Sequence, residues 1–160
     1  MKYHPLLRIT HWLTSIVIIG LLISGFLMVD LAKDDSLLGF GKWDIYGLHK
    51  SFGAIVIGLF VIRLLLRLGT KIPELPYEIK PLEAIFAKLG HLVLYILIFA
   101  VPASGFIMSQ AGGYGVKIFG YKLPAIFAEN KDLGGLAHSI HEYIPYVPVS
   151  YTHLTLPTKA

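Results

Sequence analysis

Five histidines stand where apolar sequence begins. His11, His49 and His91 head three long apolar runs, and His138 and His141 precede a shorter one. An ionisable side chain inside a bilayer is costly, so it faces the protein interior and is paired, liganded or on a proton path. A neutral imidazole keeps a nitrogen lone pair for iron, and it can hold a b-type haem with no covalent attachment. Zinc is a poor match, because C-x-x-C and H-E-x-x-H pairs are absent and the histidines lie on separate runs. Taken singly, each histidine is more often an interfacial anchor than a ligand; their joint placement is what points to iron. His138 and His141 are three residues apart and share a helical face, which alone says little.

The elements that must carry these residues are membrane spans. The chain has 160 residues, enough for one domain, and is 55% hydrophobic but only 15% charged. Its mean hydropathy is +0.67. A soluble domain carries about 25% charged residues, so this chain lacks the polar surface to stay in water. With no cysteine, disulfide scaffolds, thiol catalysis, cysteine-held iron–sulfur clusters and C-x-x-C-H haem attachment are excluded. The net charge of +4 comes from lysines and arginines set between apolar runs, a loop pattern and not a nucleic-acid stripe.

Three runs approach the ~20 residues that cross a bilayer as a helix: 9–29, 48–68 and 89–108. The first is too long for a cleaved signal and lacks a small-residue cleavage motif. Pro73, Pro76 and Pro81 mark a linker, and Pro102 lies inside the third run, where it can kink the helix. Trp12 and Trp43 suit the interfacial belt. The stretch Gly112 to Gly120, with Tyr114, Phe119 and Tyr121, reads as an interfacial loop and lacks a phosphate-binding pattern. No repeat, heptad or low-complexity segment suggests a solenoid or coiled coil. A fourth helix starts over 136–147 but meets Pro145 and Pro148, and 148–160 reads as a foreign or disordered tail. The fold class is therefore all-α, a membrane-embedded up-and-down four-helix bundle with its fourth helix incomplete. Seven cationic residues fall on the N-terminal side against six opposite, which places the N-terminus in the cytoplasm.

In an antiparallel bundle the start of span two and the start of span four share one membrane face. His49 and His141 then lie at the same outer depth on separate helices and can grip one haem. His11 lies at the inner depth. Its partner would fall near Thr155, ~21 Å of helix beyond His141, and His153 is two residues off that position.

Several segments carry a family likeness: Ile9-Thr10-His11-Trp12, Leu48-His49-Lys50-Ser51-Phe52-Gly53, Val61-Ile62-Arg63 on to Arg67-Leu68, Leu89-Gly90-His91-Leu92, Pro102-Ala103-Ser104-Gly105 and Ser139-Ile140-His141-Glu142-Tyr143. In order and spacing across residues 5–147, they make the chain resemble the bacterial cytochrome b561 group of four-span, dihaem, quinone-linked proteins. The resemblance implies non-covalent haem b, single-electron transfer in the bacterial inner membrane and exchange with ubiquinone or another quinone; some members pass electrons from superoxide to quinone. It assigns His11, His49 and His141 as axial haem-iron ligands, with no match for a fourth. At most one well-formed haem site is then expected here, where the intact family has two. His91 matches a recurrent histidine that is not an axial ligand, with a role near quinone or on a proton path, or in packing. His138 has no counterpart and reads as a loop or interfacial residue. Arg63, Arg67 and Lys88 fall where haem propionates could pair with them, though simple snorkelling into the headgroups is the better-favoured reading. Gly53, Gly58 and Gly105 allow close approach of a helix or porphyrin. The bilayer and a second copy of the chain are further partners. Whether the chain is itself an enzyme, acting on quinone or superoxide, stays open. Two rival readings are the haem-bearing membrane subunit of a hydrogenase or formate dehydrogenase complex, and a membrane transporter or scaffold that binds no haem.

Overall fold

The computed structural model describes residues 4–71 and 80–147. The linker residues Pro73 and Pro76, and the tail 148–160 with His153 and Thr155, lie outside them. Among the described residues are four helices, α1 (Pro5–Asp30), α2 (Lys42–Gly69), α3 (Pro81–Ala111) and α4 (Lys131–Tyr143). Two minimal hairpins accompany them, β1 (Ser36–Leu37) with β2 (Phe40–Gly41), and β3 (Lys117–Ile118) with β4 (Tyr121–Lys122). The described residues are 74% helical, and the expected all-α class holds. One compact unit comprises α1, α2 and both hairpins; the other comprises α3 and α4.

The helices α1, α2 and α3 are long and apolar enough to cross a membrane. Their large side chains stay outward, as with Ile9 at 60%, Trp12 at 66% and Leu68 at 76% exposure. Such surface is stable against lipid tails and not against water. The hydroxyls on these helices satisfy themselves locally: Thr10 Oγ1 donates to the Leu6 carbonyl at 2.8 Å, Thr14 Oγ1 to Thr10 at 2.6 Å and Ser15 Oγ to His11 at 2.9 Å. Hydroxyls bonded back to their own helix carry no unmet polarity into the hydrocarbon.

Every helix begins earlier than its apolar run. Pro5 and Pro81 occupy first-turn positions of α1 and α3, where a missing N–H costs nothing. Pro81 is therefore a helix start and not part of the linker, a correction to the sequence reading. The His4 ring caps α1, its Nδ1 accepting the Leu6 N–H at 3.3 Å. At the head of α2, the Asp44 carboxylate accepts the Gly41 N–H at 3.0 Å. The fourth helix starts at Lys131, five residues before the expected 136, because Asn130 Oδ1 accepts the Asp132 and Leu133 N–H groups at 3.1 and 3.0 Å. Hydropathy marks only the part of a helix that meets lipid; the capped polar turn ahead of it is invisible to that measure.

The stretch read as an interfacial loop is ordered as the β3–β4 hairpin. Its turn residues Phe119 and Gly120 have φ of 47° and 89°, and Leu38 and Gly39 in the first hairpin have 52° and 83°. Positive φ at both central residues defines the tight turn whose twist suits a two-residue hairpin. The second hairpin is seated on α2 by residues directly after His49. Ser51 Oγ accepts the Phe119 N–H at 2.9 Å, Lys50 Nζ donates to the Gly115 carbonyl at 3.3 Å, and the Phe52 and Phe119 rings meet edge-on at 5.7 Å.

Within each unit the paired helices run antiparallel. Ser24, late in α1, meets His49, early in α2, while Leu7 at the start of α1 meets Arg63 toward the end of α2. In the other unit Gly134, early in α4, lies on Gly112 just past the end of α3, and His141 reaches back to Val101. The buried residues on α3 and α4 are small (Ser104, Ser109, Ala111, Gly134, Ala137) apart from Gln110. They let two backbones approach closely where apolar side chains gain little from leaving lipid.

Candidate functional site

His49 lies in the second turn of α2, with its Nδ1 3.0 Å from Ser24 Oγ. Ser24 Oγ also lies 3.1 Å from the Leu21 carbonyl, to which it donates when His49 Nδ1 carries the ring proton. The ring also rests on Gly25, where an added Cβ would sit 3.6 Å from Cε1, an ordinary contact.

His141, on α4, is held in the same sense by different atoms. Its Nδ1 is 2.8 Å from the Val101 carbonyl and 3.4 Å from Ser104 Oγ. A carbonyl can only accept, so Nδ1 carries the proton and Nε2 holds the lone pair. Ser104 donates its own proton to the same carbonyl at 2.7 Å. The ring lies flush on the α3 backbone: a Cβ at Gly105 would come within 2.7 Å of Cε1 and 2.9 Å of Nδ1. Only glycine fits there without moving the imidazole. The sequence expectation for Gly105 was close approach, and the approaching group is this imidazole. At Gly53 and Gly58 a Cβ would meet nothing within 4 Å.

His11 sits in the second turn of α1, thirteen residues before Ser24. His11 and the Ser24 contact of His49 are thus separated by ~20 Å along α1, toward its opposite ends. Beside that turn, Arg63 Nη1 donates to the Leu7 carbonyl at 3.2 Å, so the guanidinium ties α2 to α1. Arg67 follows one turn later in the last turn of α2, where a cation opposes the negative end of the helix dipole. His91 Nδ1 bonds back to the Ala87 carbonyl at 2.7 Å on its own helix, and the side chain is exposed. His138 lies 3.7 Å from Glu142 with both side chains more than half exposed, as an interfacial pair would be.

The donor chemistry fits an axially ligated haem. Ligating histidines ordinarily present one nitrogen to the metal while the other N–H is fixed by an oxygen acceptor. His141 meets that condition, His49 has a hydroxyl oxygen placed to meet it, and Gly105 supplies the flat contact that seats one ring. Sequence reasoning gave no role to Ser24, Val101 or Ser104; the signal that reveals the two serines is a five-residue run, Ser-Gly-Phe-x-Met, present in both α1 and α3.

The chain matches the family described as prokaryotic cytochrome b561 over residues 2–149, and it belongs to that family. It is 30% identical over 146 residues to cytochrome b561 homolog 2 of Escherichia coli strain K12, covering 91% of this chain and 76% of that protein. It is also 28% identical over 94 residues to the probable superoxide oxidase CybB of Yersinia pestis, covering 59% of this chain and 53% of that protein. The family binds haem b, and the chain is a prokaryotic membrane protein.

Proposed function

We propose that this protein is a b-type membrane cytochrome that relays single electrons, with His49 and His141 as the axial ligands of an outer haem and His11 as a ligand at the inner depth. The observation that carries this reading is the shared placement of two imidazoles, each with Nδ1 within hydrogen-bond distance of an oxygen on the neighbouring helix. Haem b, when bound, supplies a reversible one-electron iron couple. The chain's own residues do the rest. Ser24 and Val101 orient the rings, and Gly105 lets one lie against a helix. Held by two imidazoles, the iron would have no open coordination position, which suits electron transfer and not oxygen binding.

Quinone is the proposed exchange partner, with His91 as the group beside it: its bonded Nδ1 leaves Nε2 to take or give the proton that accompanies quinone reduction. Superoxide is the proposed reductant, on the strength of the name carried by the Yersinia relative. Arg63 and Arg67 share a face of α2 and are the proposed propionate partners at the inner depth. The cytoplasmic N-terminus belongs to the same reading. The test is a pyridine haemochrome assay and a reduced-minus-oxidised spectrum on the detergent-purified protein. One bis-histidine haem per chain is expected, lost in both His49→Ala and His141→Ala. Retention of the full spectrum in either variant overturns the assignment.

A further inference from the structure

The two units share a device that hydropathy conceals. Near the end of α1 stands Ser24-Gly25-Phe26-Leu27-Met28, and near the end of α3 stands Ser104-Gly105-Phe106-Ile107-Met108. Each is followed in the chain by a two-residue hairpin whose turn ends in glycine, Gly39 or Gly120, and then by a helix bearing one of the two histidines. In each unit the Ser-Gly step is also what that histidine touches. Ser24 Oγ lies 3.0 Å from His49 Nδ1 with Gly25 under the ring, and Ser104 Oγ lies 3.4 Å from His141 Nδ1 with Gly105 under the ring. This short repeat is not of the solenoid or coiled-coil kind, and it falls on the two contact points.

We infer that the Ser-Gly step is a positioning element used twice, Ser24 and Ser104 each placing a hydroxyl oxygen at Nδ1 and Gly105 seating the His141 ring against α3, so that Nε2 is the nitrogen turned to iron. The inference rests on the haem reading and deepens it. A ring flipped about Cβ–Cγ would exchange Nδ1 for a carbon and lose the oxygen partner, so the hydroxyl selects one of two rotations. The devices are not identical. In α3 the proton of Ser104 is directed to the Val101 carbonyl, which itself accepts from His141, and the hydroxyl acts partly by fixing that carbonyl.

The experiment uses the full chain in detergent, titrated with haem after removal of the cofactor, with low-spin electron paramagnetic resonance as a second readout and helical circular dichroism as a check of folding. Ser24→Ala is expected to weaken haem binding 10–100-fold and to alter the low-spin signal, as loss of an acceptor behind a ligating histidine does. Ser24→Thr keeps the hydroxyl and should restore most of the affinity. Gly105→Ala should weaken binding at least as much. Should its helical signal be lost, the Ser24 pair decides alone. Gly20→Ala, where a Cβ meets nothing within 4 Å, is the control. Wild-type affinity and an unchanged signal in Ser24→Ala, with haem lost in His49→Ala and His141→Ala, would overturn the positioning inference and leave the haem reading intact. Full haem retention in the histidine variants would instead overturn the haem reading.

Discussion

The helix pair α1–α2 and the helix pair α3–α4 hold their histidines by different means. In the first, side chains do the fastening: the Ser24 hydroxyl meets His49 at one end, and the Arg63 guanidinium meets the Leu7 carbonyl at the other. In the second, backbone does most of it. The Val101 carbonyl takes the His141 proton, the Ala111 carbonyl takes the Asn130 N–H at 2.9 Å, and Gly134 packs so closely that a Cβ there would lie 3.2 Å from the Gly112 nitrogen. The difference follows from length. The helices α1 and α2, of 26 and 28 residues, can afford one contact near each end, whereas α4 has 13 and must gain its stability from close approach. A long pair is vulnerable to losing a polar atom; a short pair is vulnerable to gaining a methyl group.

That contrast can be broken by experiment. The largest expected effect is a difference between two glycines in the same sequence context: Gly105→Ala should lower haem affinity at least tenfold more than Gly25→Ala, because the added carbon comes to 2.7 Å from a ring atom in one case and 3.6 Å in the other. Equal losses in a haem titration would show that the closeness of α3 to His141 is unimportant. Next in size is Arg63→Ala, which removes a charged donor from a helix carbonyl and should cost about 1.5–3 kcal/mol in reversible unfolding monitored by helical signal. A variant as stable as the parent would mean that α1 and α2 are not fastened at that end. Asn130→Ala strips the two-bond cap from α4 and should cost about 1 kcal/mol, visible as fraying of that helix in amide exchange. The smallest effect belongs to His138→Gln, within about 0.5 kcal/mol, since both members of its pair with Glu142 are largely exposed. A substantial loss there would require a role for His138 beyond the interface.

Much of this was legible in residue types. Three spans follow from runs of apolar side chains, and His49 and His141 stand out because an imidazole in such sequence needs a reason. The helix starts were not legible from hydropathy, because Pro5, Asp44, Pro81 and Asn130 act through backbone N–H groups that hydropathy does not weigh. Gly105 drew notice as a small residue, but its neighbour Ser104 drew none for orienting a ligand. A serine in an apolar helix can bond its own carbonyls, and Ser104 does so. Nothing local distinguishes that serine from Ser15, whose hydroxyl bonds the His11 backbone carbonyl along its own helix in the same way. The repeat of Ser-Gly-Phe was present in the letters, yet five residues in a chain with 16 glycines carry little weight until each copy is found against an imidazole.

Composition and the order of residues determined that the chain lives in lipid, how many long helices it forms and which imidazoles were worth following, because transfer of side chains into hydrocarbon is a property of each residue and its neighbours in the run. Only the tertiary structure decided which nitrogen of each ring meets an oxygen. That choice belongs to an atom on another helix, dozens of positions away in the chain, and a ring's orientation has no signature in sequence until the partner is within 3 Å or so.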